Sequence, residues 1–191
     1  MALALVVIAG LSAGCLSVKS YVDPQLPKVG YADLLARHDP RPVALTVALH
    51  RNGQPASFGA STARDEVRAA VERSKLFSTV MDRPTGDVDQ LEIVLDNVGD
   101  TGDAAAKGMK TGLTFGAAGS LVTDGYIFTA TFRPMGKEPV TRTYRHAIHT
   151  TVGNADGPPG LTPMGIMDAF RKVVEELVAN LLLDLQKEER I

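Results

Sequence analysis

Alternating apolar and polar positions along the chain predict a series of β-strands. From Val43 to His50, every second side chain is a large apolar one, which is typical of a strand with one buried face. The same alternation recurs in the middle of the chain and beyond it, and turn signals such as Asn52-Gly53 separate the segments. The predicted strands are Val43–His50, a short strand at Leu76-Phe77 and Val80-Met81, one around Leu91, Ile93 and Leu95, Tyr126–Arg133 and its partner Val140–Val152.

Apolar residues at helical spacing predict two helices. Thr62, followed three residues later by Asp65, has the spacing of a helix N-cap and capping box, and the helix is expected to continue to about Ser74. The second helix is expected to begin at Thr162, with Pro163 at its first position, where a missing N–H has no cost. Its apolar stripe consists of Met167, Phe170, Val174, Leu177, Val178, Leu181 and Leu185.

The order of these elements predicts an α+β fold. Short connections between the last three strands favour antiparallel pairing, and the first strand–helix–strand unit can form a crossover or a split pairing. We therefore expect a two-layer sandwich, with a mixed, mostly antiparallel sheet of about five strands and two helices on one face. The single domain is expected to span residues 43–186, with a charged tail at 187–191 that frays from the helix.

The N-terminal segment has the pattern of a secretion signal. Residues 1–14 are apolar and uncharged, and they are fewer than the ~20 apolar residues that cross a bilayer. They precede Cys15, the only cysteine of the chain, and the stretch Leu11-Ser12-Ala13-Gly14-Cys15 resembles the lipobox of bacterial lipoproteins. The resemblance implies that 1–14 is a signal peptide and that Cys15 carries a lipid such as palmitate. The alternative is a buried N-terminal strand or helix with an ordinary core cysteine. No Lys or Arg precedes Cys15, so either translation starts upstream or the segment is not a signal.

The residues after Cys15 are predicted to form a spacer. Residues 15–42 contain four prolines and little apolar periodicity, so we expect an extended tether with one short helical turn at Tyr31–Arg37. In the resemblance to lipoproteins, Leu16 and Ser17 follow the lipidated residue. Their identity implies the periplasmic face of the bacterial outer membrane rather than the inner membrane.

A glycine-rich segment is the candidate for membrane or partner contact. Within 108–122, glycines recur at every fourth position with large apolar residues between them, which would allow close backbone approach on a helix. The alternative is a glycine-rich connection that folds over the end of the sheet. The candidate contact residues are Gly108, Gly112, Leu113, Phe115 and Gly116.

Composition and motifs point away from nucleic-acid binding and catalysis. The formal net charge is -2, tryptophan is absent and aromatic residues make up 5%, so no basic field or stacking surface is expected. His146 and His149 are three positions apart on a predicted strand and should face opposite sides, so no metal site is predicted. Ser61 and Ser120 lack a nucleophile elbow, and no phosphate-binding loop is present. We expect a non-enzymatic protein with no cofactor.

Two short runs resemble segments of uncharacterised bacterial envelope lipoproteins. They are Val18–Pro24, soon after the cysteine, and Thr111–Gly116 with the following Thr123–Tyr126. The element order is also similar to that of the lipopolysaccharide-assembly lipoprotein and of curli-secretion-type and TolB-like periplasmic domains. The resemblance implies a membrane-anchored binding or assembly module of the cell envelope, whose partner is an envelope protein or lipid. The alternative is a component of secretion or of lipid or lipopolysaccharide transport that uses 108–122 to contact the membrane or to oligomerise.

Overall fold

The computed structural model describes residues 17–99 and 119–191, and these residues form a sheet covered by two helices. The strands are β1 (Val18–Val22), β2 (Val43–Arg51), β3 (Gln54–Pro55), β4 (Val80–Met81), β5 (Asp89–Val98), β6 (Gly119–Arg133) and β7 (Val140–Gly153). The helices are α1 (Ala60–Arg73) and α2 (Ile166–Lys187), and a 3-10 turn occupies Tyr31–Asp33. The α+β sandwich is therefore confirmed, with a few more strands than the sequence predicts.

The sheet is mixed, with strand order β1-β7-β6-β5-β2-β3 and with β4 also paired to β2. The pair β2–β5 is parallel because α1 crosses over between the two strands, whereas β5, β6, β7 and β1 are successively antiparallel. Asn52 and Gly53 both have positive φ and form the tight turn between β2 and β3, as the sequence predicts.

The core lies between the helices and one face of the sheet. Alternate residues of β5 and β6 point into it, and α1 buries the four residues Ala63, Val67, Ala70 and Val71 that its periodicity predicts. The stripe predicted for α2 is buried too, except that Met167 is 46% exposed and Phe170 only packs against the edge of the core. The two periodic patterns thus identify the buried faces of both layers.

The N-terminal part of the predicted tether is a strand of the sheet. Val18–Val22 form β1, which pairs with β7 over five residues, and Tyr21 is 5% exposed. Leu26 is also buried in the core. The boundary expected at residue 43 is therefore wrong, because the sheet already begins at Val18; the turn expected near Tyr31 is present as the 3-10 turn.

Both helices begin away from the expected caps. Helix α1 starts after Gly59, whose φ is +82°, and the amide of Ala63 already donates to the Gly59 carbonyl, so Thr62 lies inside the helix. The backbone of Met164 exchanges two hydrogen bonds with Ser20, which holds this segment extended and delays α2 to Ile166.

Two further segments differ from their predictions. Leu76 and Phe77 are buried without strand pairing, and only Val80–Met81 pair with β2. The tail does not fray, because Glu188 forms an ion pair with Arg142 of β7 and Ile191 packs against the core.

Candidate functional site

One end of the sheet brings together the start of the described chain and most of its exposed large apolar side chains. At this end β2, β5 and β7 finish and β6 and β1 begin, since Val18 pairs with Val152, Gly119 with Gly153, and Arg51 with Asn97. We call it the apolar end. The exposed large apolar residues there are Val18, Phe58, Val122, Ile166 and Met167.

The other end of the sheet is different in character. Among the described residues, it has only two exposed large apolar side chains, Leu35 and Met135. Leu35 lies near the C-terminus of α2, where its amide donates to the side chain of Gln186, and Met135 lies in the turn between β6 and β7. Five of the seven exposed large apolar side chains among the described residues therefore lie at one end of the sheet.

Local sequence explains why the apolar end carries these side chains. Gly59 with positive φ turns the chain sharply from the β3 segment into α1, and it leaves Phe58, 90% exposed, projecting before the helix. The bridge between Met164 and Ser20 sets the start of α2 so that Ile166 and Met167 occupy its first turn. Phe58, Ile166 and Met167 line one groove with Tyr126 and Phe170.

Tyr126 forms the inner part of this groove. Its ring stacks at a tilt on Phe170, with 5.8 Å between ring centroids. Burial, reinforced by the nearby carboxylate of Asp124, raises the pKa of Tyr126 well above its ordinary value, and the charge of Arg51 opposes this in part. The phenol is therefore neutral at physiological pH and adds no charge to the groove.

A second constellation, on the helix-free side of the sheet, was missed by the sequence analysis. His149 contacts the Asp23 carboxylate through Nε2 at 3.0 Å and the Thr123 hydroxyl through Nδ1 at 2.9 Å. The hydrogen bond from His149 holds the pKa of Asp23 below its ordinary value, although burial opposes the shift. With the proton on Nε2, His149 donates to Asp23 and accepts from Thr123.

This chain of hydroxyl, imidazole and carboxylate resembles a nucleophile with its base, but its surroundings favour a structural role. Thr123 is 8% exposed within β6, and Asp23 also accepts from the amide of Gln25. A cavity of about 100 Å³ borders Asp23, and neither Thr123 nor His149 lines it. The three residues connect the end of β1 to β6 and β7. Because 126 residues separate Asp23 from His149, no local motif could have indicated the contact.

His146 lies on the other side of β7, as the strand alternation predicts. Its Nε2 contacts the Glu176 carboxylate of α2 at 2.8 Å, and the ring is fully buried. His146 and His149 thus contact different carboxylates. Across residues 17–99 and 119–191, no cluster of three or more potential metal ligands is present.

Cys15 and the candidate contact residues Gly108, Gly112, Leu113, Phe115 and Gly116 are outside the described residues. The loop Asn154–Gly160 packs on β1, because Gly157 lies directly against the ring of Tyr21. In the part of the chain that the structure describes, no helix is long and apolar enough to span a bilayer.

Comparisons with known proteins find distant structural similarity to bacterial lipoproteins. The chain is similar to a minor lipoprotein from Acinetobacter baumannii, with 10% identity, a TM-score of 0.39, and coverage of 78% of this chain and 94% of the other. It is similar to the rare lipoprotein B from Shewanella oneidensis, with 14% identity, a TM-score of 0.36, and coverage of 78% and 96%.

A third similar structure is a DUF330 protein from Xanthomonas campestris, with 14% identity, a TM-score of 0.36, and coverage of 88% and 94%. No protein-family model matches the chain, and no curated protein matches it significantly. The similarities to known structures are too distant to assign a family or an activity.

Proposed function

We propose that this chain is a non-enzymatic lipoprotein, held on the periplasmic face of the outer membrane by a lipid on Cys15. It acts as a binding or assembly module of the cell envelope, with its apolar end turned toward the bilayer. The observation that carries the proposal is the position of β1, whose first residue, Val18, lies at the apolar end.

Covalent geometry limits how far the anchor can stand from this end. Consecutive Cα atoms are 3.8 Å apart, so the Cα atoms of Cys15 and Val18 are separated by about 11 Å at most. A lipid on Cys15 therefore keeps the apolar end against the headgroup region, whereas a free tether up to residue 42 would have let the domain stand away from the membrane.

The exposed side chains at the apolar end suit this orientation. Removing a large apolar side chain from water contributes about 1.5–3 kcal/mol when burial is complete, and partial insertion contributes less. Phe58, Ile166 and Met167 can therefore add to the membrane binding given by the lipid and hold this end of the domain against the bilayer.

Palmitate labelling with membrane fractionation tests the anchor. The protein should incorporate labelled palmitate and sediment with the outer membrane, and Cys15→Ser should lose the label and the membrane association. Unlabelled wild-type protein that remains in the soluble fraction would contradict the proposal.

A second candidate function is a secretion or lipid-transport component that uses 108–122 for membrane contact or oligomerisation. The observation in its favour is that β5 ends and β6 begins at the apolar end, so the residues between them leave and return there. Crosslinking and sizing in detergent of wild type and Gly112→Leu would test it. A wild-type monomer that the substitution does not affect would argue against it.

A further inference from the structure

The groove at the apolar end has the size and lining of a small-ligand site. It lies between the N-terminal turns of α1 and α2 and above the ends of β2 and β5. Its volume is about 400 Å³, within the ~300–1,000 Å³ range of small-molecule pockets. Phe58, Ile166 and Met167 line the groove with Tyr126 and Phe170, so apolar surface dominates its walls.

Among the described residues, Arg51 and Asp124 are the charged side chains that line the groove, beside the titratable His50 of β2. Arg51, the last residue of β2, and Asp124, near the start of β6, both lie at the sheet's apolar end, and no charged residue of α1 or α2 lines the groove. An apolar site with two charged groups on its sheet side matches an amphiphile whose chain enters and whose head stays near water.

We propose that this groove binds the acyl chain of a membrane lipid. The inference rests on the proposed function, because the short connection from Cys15 to β1 places the groove next to the bilayer. Two features favour a lipid over another occupant. The groove is at the end of the sheet where β1 begins, and the exposed Phe58 and Met167 continue its apolar lining onto the surface.

A fluorescent fatty acid, cis-parinaric acid, provides a direct test with the purified full chain in the Cys15→Ser background. Because this variant carries no lipid, the result is independent of whether Cys15 is acylated in the cell. We expect saturable fluorescence enhancement at one site per chain. Ile166→Asp and Met167→Asp should each weaken binding by about tenfold or more, comparable to the loss of one good apolar contact in a pocket.

Matched controls place the same charge on apolar side chains at the other end. Leu35→Asp and Met135→Asp should bind the fatty acid as the parent does, because neither residue lines the groove. Circular dichroism and denaturant midpoints verify that all four variants are folded, which is expected since all four side chains are exposed.

Three outcomes would overturn the inference. The first is the absence of saturable enhancement, and the second is equal loss of binding in the groove variants and in the controls. The third is concentration-dependent dimerisation that Ile166→Asp abolishes while fatty acid has no effect, since it would assign the groove to a second copy of the chain. Palmitate labelling of Cys15 in the wild type remains a separate result, so the anchor can be retained if the groove binds no lipid.

Discussion

The contact between Gly157 and Tyr21 gives a sharp test of whether β1 belongs to the sheet. A Cβ atom added at Gly157 would collide with the Tyr21 ring, and Tyr21 is only 5% exposed, so its ring has little free space to move into. We therefore expect Gly157→Ala to destabilise the protein by about 1–3 kcal/mol, the usual cost of overpacking. Tyr21→Ala should cost about 3–5 kcal/mol through the cavity that it leaves.

The double variant distinguishes this contact from an unrelated effect on the loop. Without the Tyr21 ring there is room for the added methyl group, so Gly157→Ala should cost nothing in the Tyr21→Ala background. It should even stabilise slightly, by about 0.4–1 kcal/mol, because alanine restricts the unfolded chain. The coupling free energy is then about 1–3 kcal/mol or somewhat more.

Denaturant unfolding in the Cys15→Ser background measures the free energy of unfolding of the parent, the two single variants and the double variant. Unchanged m-values check that the transition remains two-state. If Gly157→Ala is neutral or stabilising beside an intact Tyr21, the ring does not lie under the loop. The placement of β1, and the short distance from Cys15 to the domain that depends on it, would then be refuted.

Three further predictions concern the pH dependence of stability, a buried leucine and an exposed phenylalanine. Because the pKa of Asp23 is lowered in the folded state, its contribution to stability is present above the ordinary value of 3.8 and is lost as pH falls through the lowered value. Asp23→Asn should therefore be less stable than wild type at pH 6, and the unfolding curves of the two proteins should coincide in strong acid. A stability difference that persists in strong acid would contradict the lowered pKa of Asp23. Leu177→Ala should lower the free energy of unfolding by about 2–5 kcal/mol, because the residue is fully buried. Leu183→Ala on the same helix should lower it less, because Leu183 is only half-buried. Chemical denaturation measures both. Phe58→Ala should leave the thermal midpoint unchanged while weakening vesicle binding in co-sedimentation, because the ring is 90% exposed; a large drop in the midpoint would show that it packs in the core.

The local sequence pattern predicts the secondary structure correctly where buried residues recur at a regular spacing. The alternation in Val43–His50 and Tyr126–Arg133 predicts β2 and the second half of β6, which both pair with β5, and the helical stripes predict the faces that cover the sheet. In these segments the local preference and the tertiary environment agree, so the fold class could be predicted from the sequence.

The errors arose where distant contacts decide the local structure. Val18–Val22 is short and is a strand only because β7, about 130 residues away, pairs with it. The same distance explains why α2 begins late, since the Met164 bridge to Ser20 outweighs the capping signal at Thr162. Leu76 and Phe77 are apolar because they are buried, although they pair with no strand.

The candidate site depended on the same long-range pairing. The sequence predicts a lipid on Cys15 followed by a long spacer, and only the register of β1 shows that the described chain begins at the apolar end. Phe58, Ile166 and Met167 come from separate segments, and none is unusual in its own sequence context. No single-sequence pattern could have indicated that they form one surface.

Depth-dependent fluorescence quenching is the most direct test of the proposed orientation. The chain contains no tryptophan, so Phe58→Trp introduces a single probe at the apolar end, and Leu35→Trp introduces a matched probe at the opposite end. In lipidated protein on vesicles that contain brominated lipids, the proposal predicts a blue-shifted and strongly quenched emission from the Phe58→Trp variant and an unquenched emission from the Leu35→Trp control. Equal quenching of both probes, or quenching of the control alone, would contradict it.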